Sequence, residues 1–217
     1  MRFKTPDPAR YRHQVVKGGR QGGFSLVEIA VVLVIIGIIL GGVLNARTIK
    51  RNASVKDVAR AIGDIGTAAH QFKGRYGFWP GDLPNASSQI PSLTLTCNGN
   101  GDQIIQAGEQ ACAVEALIRA SMVRGDVGAA NPLVLNGTHI VSLVSRATAA
   151  ALPGLGGIPT GWGNVVRVNN RLDCDMVIQV DRLLDDGNPA TGNVRASTAC
   201  AAQDESIVVD NIVVRLN

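Results

Sequence analysis

The stretch FSLVEIAVVLVIIGIILGGVLNA, residues 24–46, decides how this chain is organised, and its only charge is Glu28. As an α-helix, 23 residues at about 1.5 Å each reach roughly 35 Å, enough to cross a hydrocarbon core of about 30 Å. A carboxylate inside such a segment costs about 2.5–3.5 kcal/mol at the centre of a bilayer on insertion scales. The question is why a membrane-length helix should carry it.

Upstream, residues 1–23 hold Arg2, Lys4, Arg10, Arg12, Lys17 and Arg20 against Asp7, a net charge of +5. The whole chain is +4, so everything after Gly23 sums to −1. The basic character belongs to the leader, and the remainder lacks the electrostatic footprint of a nucleic-acid binder. Lys and Arg before the apolar run place the N-terminus in the cytoplasm and the chain beyond the run on the other side of the membrane. Four cysteines agree with that side of the membrane. None has C-x-x-C spacing and the chain has only three histidines, which argues against zinc and redox motifs. Of the three possible pairings, the nearest-neighbour one is expected: Cys97 with Cys112 and Cys174 with Cys200. A cleavable secretory signal would have an apolar stretch of about 7–15 residues and an A-x-A-like site. Only Leu44-Asn45-Ala46 comes near one. A plain signal anchor explains length and orientation, but neither Glu28 nor the glycine pair at Gly22-Gly23.

Gly23-Phe24-Ser25-Leu26-Val27-Glu28, with basic residues before and an aliphatic helix after, closely resembles the class III signal of type IV pilins and type II secretion pseudopilins. The likeness covers residues 17–46. It implies cleavage by prepilin peptidase after Gly23, N-methylation of the new first residue Phe24, and an assembly role for Glu28. Gly37 stands where such helices commonly carry glycine. A proline near Asn45, common in pilins, is missing; Gly41-Gly42 loosen the helix instead, at roughly 1 kcal/mol each relative to Ala. The leader is long for a pilin. The resemblance also implies partners: other pilin or pseudopilin subunits and an inner-membrane assembly platform. It implies a single-pass inner-membrane location with a periplasmic head, and a place in a filament after assembly. The expected divisions are a leader 1–23, a transmembrane and assembly helix 24–46, and a pilin-like head 47–217.

The helix is expected to run on to about Arg75. Val55, Val58, Ile62, Ile65, Ala69 and Phe72 recur at spacings of three and four, while Lys56, Asp57, Arg60 and Asp64 fall off that stripe. Gly74, Gly77 and Pro80 end it. Residues 76–96 read as a loop, with aromatics that cover a core. Ala113–Arg124 has helical spacing. Ile140–Val144 fits strand or helix; Val165–Val168, Met176–Val180 and Ile207–Arg215 read as strands, and Asp185-Asp186-Gly187-Asn188-Pro189 as a turn. Residues 76–84 and 183–195 also resemble loops of pilin-like proteins. The expected fold class is α+β: a long N-terminal helix packed on a C-terminal antiparallel sheet.

One further motif lies at residues 98–109. Asn98, Asn100, Asp102, the Ile104 carbonyl and Glu109 occupy the ligand places of an EF-hand calcium loop, with Ile105 at the eighth position. Asn98 stands where Asp is usual and Gln103 where Gly makes the sharp turn. The stretch therefore reads either as an Asn/Gly-rich turn or as a weak structural calcium site; no cofactor is required. No nucleophile elbow or P-loop occurs, and the histidines are isolated, so an enzyme is not expected. Two function classes stay open. One is a structural filament subunit, a pseudopilin-like or minor component of a type II secretion or type IV pilus machine. The other is a displayed binding module, an adhesin or a DNA-uptake minor pilin. Glu28 weighs against the tip pseudopilin type that lacks this glutamate.

Overall fold

The computed structural model describes residues 23–93, 95–127 and 133–216. The leader lies outside the described residues apart from Gly23. The first element, α1, spans Leu26–Tyr76 as a single 51-residue helix. Two compact units divide within it, between Arg47 and Thr48.

In the first unit, the side chains described from Gly23 to Val43 are exposed, among them Leu33, Val34, Ile38, Ile39 and Leu40. A helix rich in Val and Ile gains little from intrinsic propensity. It is the element that satisfies every backbone amide without water, as a hydrocarbon setting demands.

In the second unit, residues Thr48–Tyr76 of α1 behave as an amphipathic helix. Val55, Val58, Ile62, Ile65, Ala69 and Phe72 are all buried, and Lys56, Asp57, Arg60 and Asp64 are exposed. The stripe packs on an antiparallel sheet. Its strands are β1 (Val134–Leu135), β2 (His139–Ser145), β3 (Asn164–Asp173), β4 (Val194–Ala196) and β5 (Val208–Arg215), in spatial order β1-β2-β3-β5-β4. Alternation sets the faces. Val166, Val168, Ile212 and Val214 join α1 in the main core, while Val165 and Val213 face a second, smaller cluster with Leu155, Ile158 and Trp162. Covering both faces there is why Val165-Val166 and Val213-Val214 are apolar in succession. In β3, Asn170 and Arg171 take positive φ, 84° and 54°, where the register with β5 shifts between Asn169 and Leu172. The Asn170 amide group donates to the Thr138 carbonyl across the sheet at 2.7 Å.

Short helices complete the head: α2 (Ala86–Gln89), α3 (Gln110–Arg119), α4 (Arg146–Ala150) and α5 (Cys174–Leu184), with a single 3₁₀ turn at Leu95–Cys97. Helix α3 begins and ends earlier than its spacing suggests, because the chain turns out of it at Ser121, φ 60°. One expectation is corrected outright: Met176–Val180 is helical, not a strand. Asp173 caps α5 by accepting from the Met176 amide at 2.9 Å. Val177, Ile178 and Val180 are all buried, so neither a period of two nor one of 3.6 stands out in the sequence. Cys97 pairs with Cys112 and Cys174 with Cys200.

Candidate functional site

The N-terminal end of α1 is built by Ser25. Its carbonyl accepts from the Glu28 and Ile29 amides at 3.0 and 3.3 Å, and its hydroxyl accepts from the Val27 amide at 3.2 Å. The helix thus starts one residue beyond Ser25, and Glu28 falls in its first turn, where the helix dipole favours a carboxylate. Gly23 and Phe24 precede it in non-helical chain. Phe24 is 78% exposed and Leu26 87%. Among the described residues no hydrogen bond or ion pair engages the Glu28 carboxylate. The geometry is a peptide junction held outside a helix, followed at once by an unpaired anion on an apolar cylinder long enough to cross a membrane.

Residues 18–44 match the prokaryotic N-terminal methylation motif. This methylation motif is the processing signal of type IV pilins and pseudopilins, and it supports a pilin-like or pseudopilin subunit. It implies processing by prepilin peptidase and assembly with other pilin subunits. The long α1 and the five-stranded antiparallel sheet are consistent with a pilin-like fold, and the motif with the apolar helix fits a membrane-anchored subunit. The motif covers 27 of 217 residues; no curated protein and no solved structure matches the chain.

The head carries two polar centres. In the loop 98–109, Asn100, Asp102 and Glu109 come together. The Glu109 carboxylate accepts from the Asn100 amide at 3.0 Å and the Gln106 amide at 2.8 Å. Asp102 accepts from the Ile104 amide at 2.9 Å and from the Asn100 side chain at 3.2 Å. Asn98 turns away, its side-chain oxygen accepting from the Ser87 amide at 2.8 Å. Gln103 takes φ 70° at the position where a calcium loop has glycine, and Ile105 is fully buried.

Sequence reasoning missed the residue that organises this loop. Asp82 is fully buried and accepts from three successive amides: Gly101 at 2.8 Å, Asp102 at 3.1 Å and Gln103 at 2.8 Å. Burial raises its pKa, and the amides of Gln103 and Gly101 pull it back. The loop lies so close to the Asp82 turn that a Cβ on Gly99 would stand 2.3 Å from the Asp82 carbonyl carbon. A single Asp in Trp79-Pro80-Gly81-Asp82-Leu83-Pro84, flanked by apolar and turn residues, was the only signal available.

The second centre lies at the end of α5. Asp181, Asp185 and Asp186 each offer a carboxylate oxygen, and these oxygens lie within 4.8 Å of one another. Asp181 is fully buried, and neither of its oxygens has a partner within hydrogen-bond distance, although Asp186 and the Gly187 amide act on it from further off. Burial, followed by the charges of Asp186 and Asp185, pushes its pKa up to about 6.

Both described histidines, His70 and His139, contact backbone carbonyls. The His70 Nε2 lies 2.7 Å from the Leu216 carbonyl oxygen, and the His139 Nδ1 lies 3.0 Å from that of Asn170.

Proposed function

We propose that this chain is a low-abundance filament subunit, a pseudopilin-like or minor-pilin component of a type II secretion or type IV pilus machine. In this reading prepilin peptidase cuts between Gly23 and Phe24 and methylates the new amine. The inner-membrane assembly platform then lifts the subunit into a filament, with its head on the periplasmic side. The observation that carries the proposal is the position of Glu28, in the first turn of an exposed apolar helix directly after the processing junction.

Cleavage exposes a cationic amine on Phe24. When apolar helices pack side by side, a neighbour's amine can approach Glu28 in low dielectric, where the pair attracts far more strongly than in water. The unpaired carboxylate then acts as a register device, relieved when another subunit arrives in the correct stagger.

Mass spectrometry of the mature N-terminus tests the first step: a mass beginning at methylated Phe24 is expected, and a start at Met1 or beyond Ala46 refutes the reading. A deletion strain assigns the machine. Lost exoprotein export means secretion; lost surface fibres or twitching means a pilus.

A further inference from the structure

The acidic group at the end of α5 is not absorbed by the filament role. Three carboxylates on Asp181, Asp185 and Asp186 present oxygens within 4.8 Å of one another, at the helix end where the backbone dipole is already negative. The Thr191 hydroxyl holds the pKa of Asp186 down; of the basic neighbours, Arg195 helps, but without direct contact. Among the described residues no ion pair joins Arg182 or Arg195 to any of the three. Arg195 instead donates its Nη1 to the carbonyls of Thr191, Gly192 and Val194. The outer two carboxylates are held by the loop after the helix. Asp186 accepts from the Asn188 amide at 2.8 Å and the Thr191 hydroxyl at 2.7 Å, and Asp185 accepts from the Asn193 amide. Each of these oxygens keeps a further lone pair. The inner carboxylate is the decisive observation. Asp181 is 0% exposed, its two oxygens have no donor within hydrogen-bond distance, the Gly187 amide acting on them only from further off, and they face the other two acids. A buried carboxylate with no partner is among the costliest arrangements a core can hold.

We propose that Asp181, Asp185 and Asp186 form a calcium site that ties the end of α5 to the loop leading into β4. All three donors are carboxylate oxygens, the preference of a hard cation, and calcium accepts irregular oxygen sets at about 2.3–2.6 Å, which suits ligands from both a helix and a loop. The cation supplies the partner that Asp181 lacks and cancels the repulsion among the three acids. The site is separate from the loop 98–109, and it stands whether or not the filament reading does.

The test is thermal melting of the full chain in detergent micelles, in EGTA and in calcium chloride at roughly 10 mM, above the 10⁻⁴–10⁻³ M range of extracellular calcium modules. Calcium is expected to raise the melting temperature of the wild type by about 5 °C. Asp181→Asn and the more exposed Asp186→Asn should each abolish most of that rise, whereas Asp102→Asn in the loop 98–109 should keep it. In EGTA, Asp181→Asn should melt at or above the wild type, because the amide removes an unpaired buried charge; a carboxylate needed only for packing would make that variant melt lower. Identical wild-type curves with and without calcium overturn the site. So does a rise that survives in both Asp181→Asn and Asp186→Asn and disappears in Asp102→Asn.

Discussion

At the scale of single residues, the chain places carboxylates where each is answered differently. Glu28 is left without a partner on an exposed apolar helix. Exchanging it for Val removes a charge that costs about 2.5–3.5 kcal/mol at mid-bilayer on insertion scales, so membrane residence becomes easier. Glu28→Val should therefore insert and be cleaved normally, yet enter filaments poorly, as a pull-down of sheared filaments would show. Wild-type incorporation would remove the assembly role. Asp82 is the opposite case, a buried anion answered by three amides. Asp82→Ala strips the partner from the Gly101, Asp102 and Gln103 amides, at about 1–3 kcal/mol for each one left dry. Since Asp102 is exposed and part of the loop rehydrates, a net loss of about 2–4 kcal/mol is expected in chemical denaturation. Glu28 was legible because its meaning lies in contiguous neighbours. Asp82 and Asp181 were not, because what surrounds each is set by segments brought in by the fold: the loop 101–103, about twenty residues away, for one, and the turn after a misread helix for the other.

At the scale of elements, legibility followed length and one-sidedness. The α1 stripe could be read across six positions because one face is buried and the other wet. Deleting the ring of Phe72, which is fully buried in that stripe, should cost about 3–5 kcal/mol. A measured loss under about 1 kcal/mol for Phe72→Ala would mean the stripe does not pack as described. Helix α5 was misread because Cys174–Ile178 is buried without a break, which hides the period within the short stretch Met176–Val180, and its real start signal was one cap, Asp173. The elements α4, β1 and β4, of five, two and three residues, are too short to show a period at all. Asp173 also receives Arg51 at 2.5 Å, and Asp175 receives it at 2.8 Å, so α1 and α5 are joined by charge as well as packing. Removing both the cap and the ion pair with Asp173→Ala should destabilise by about 1–3 kcal/mol, more than the roughly 1 kcal/mol of an isolated cap. Arg51→Met separates the two contributions, since it spares the cap.

At the scale of the whole molecule, two cross-links hold segments that the sheet does not. Cys97–Cys112 closes a separation of 15 residues around the loop 98–109, and Cys174–Cys200 one of 26 residues around α5 and β4. In the chain-entropy view each is worth about 3–3.5 kcal/mol. Replacing both cysteines of either pair with alanine should lower the denaturation midpoint accordingly, and peptide mapping without reductant should recover these two pairs. Crossed pairs or free thiols in the purified protein would contradict the structure.

The sheet order has a consequence for timing. Strand β5 follows every other described element, yet it lies between β3 and β4 and hydrogen-bonds to both. Just beyond it, the Leu216 amide donates to the Asn164 carbonyl. The core under β3 therefore cannot close until residues 208–216 have left the ribosome. Until then the head is an open, thread-like substrate with an unpaired central edge, open to proteases and to holding chaperones. A nascent chain that stalls early presents that edge indefinitely. Position in the sheet thus doubles as a proofreading step, in which only a chain translated through β5 can become protease-resistant.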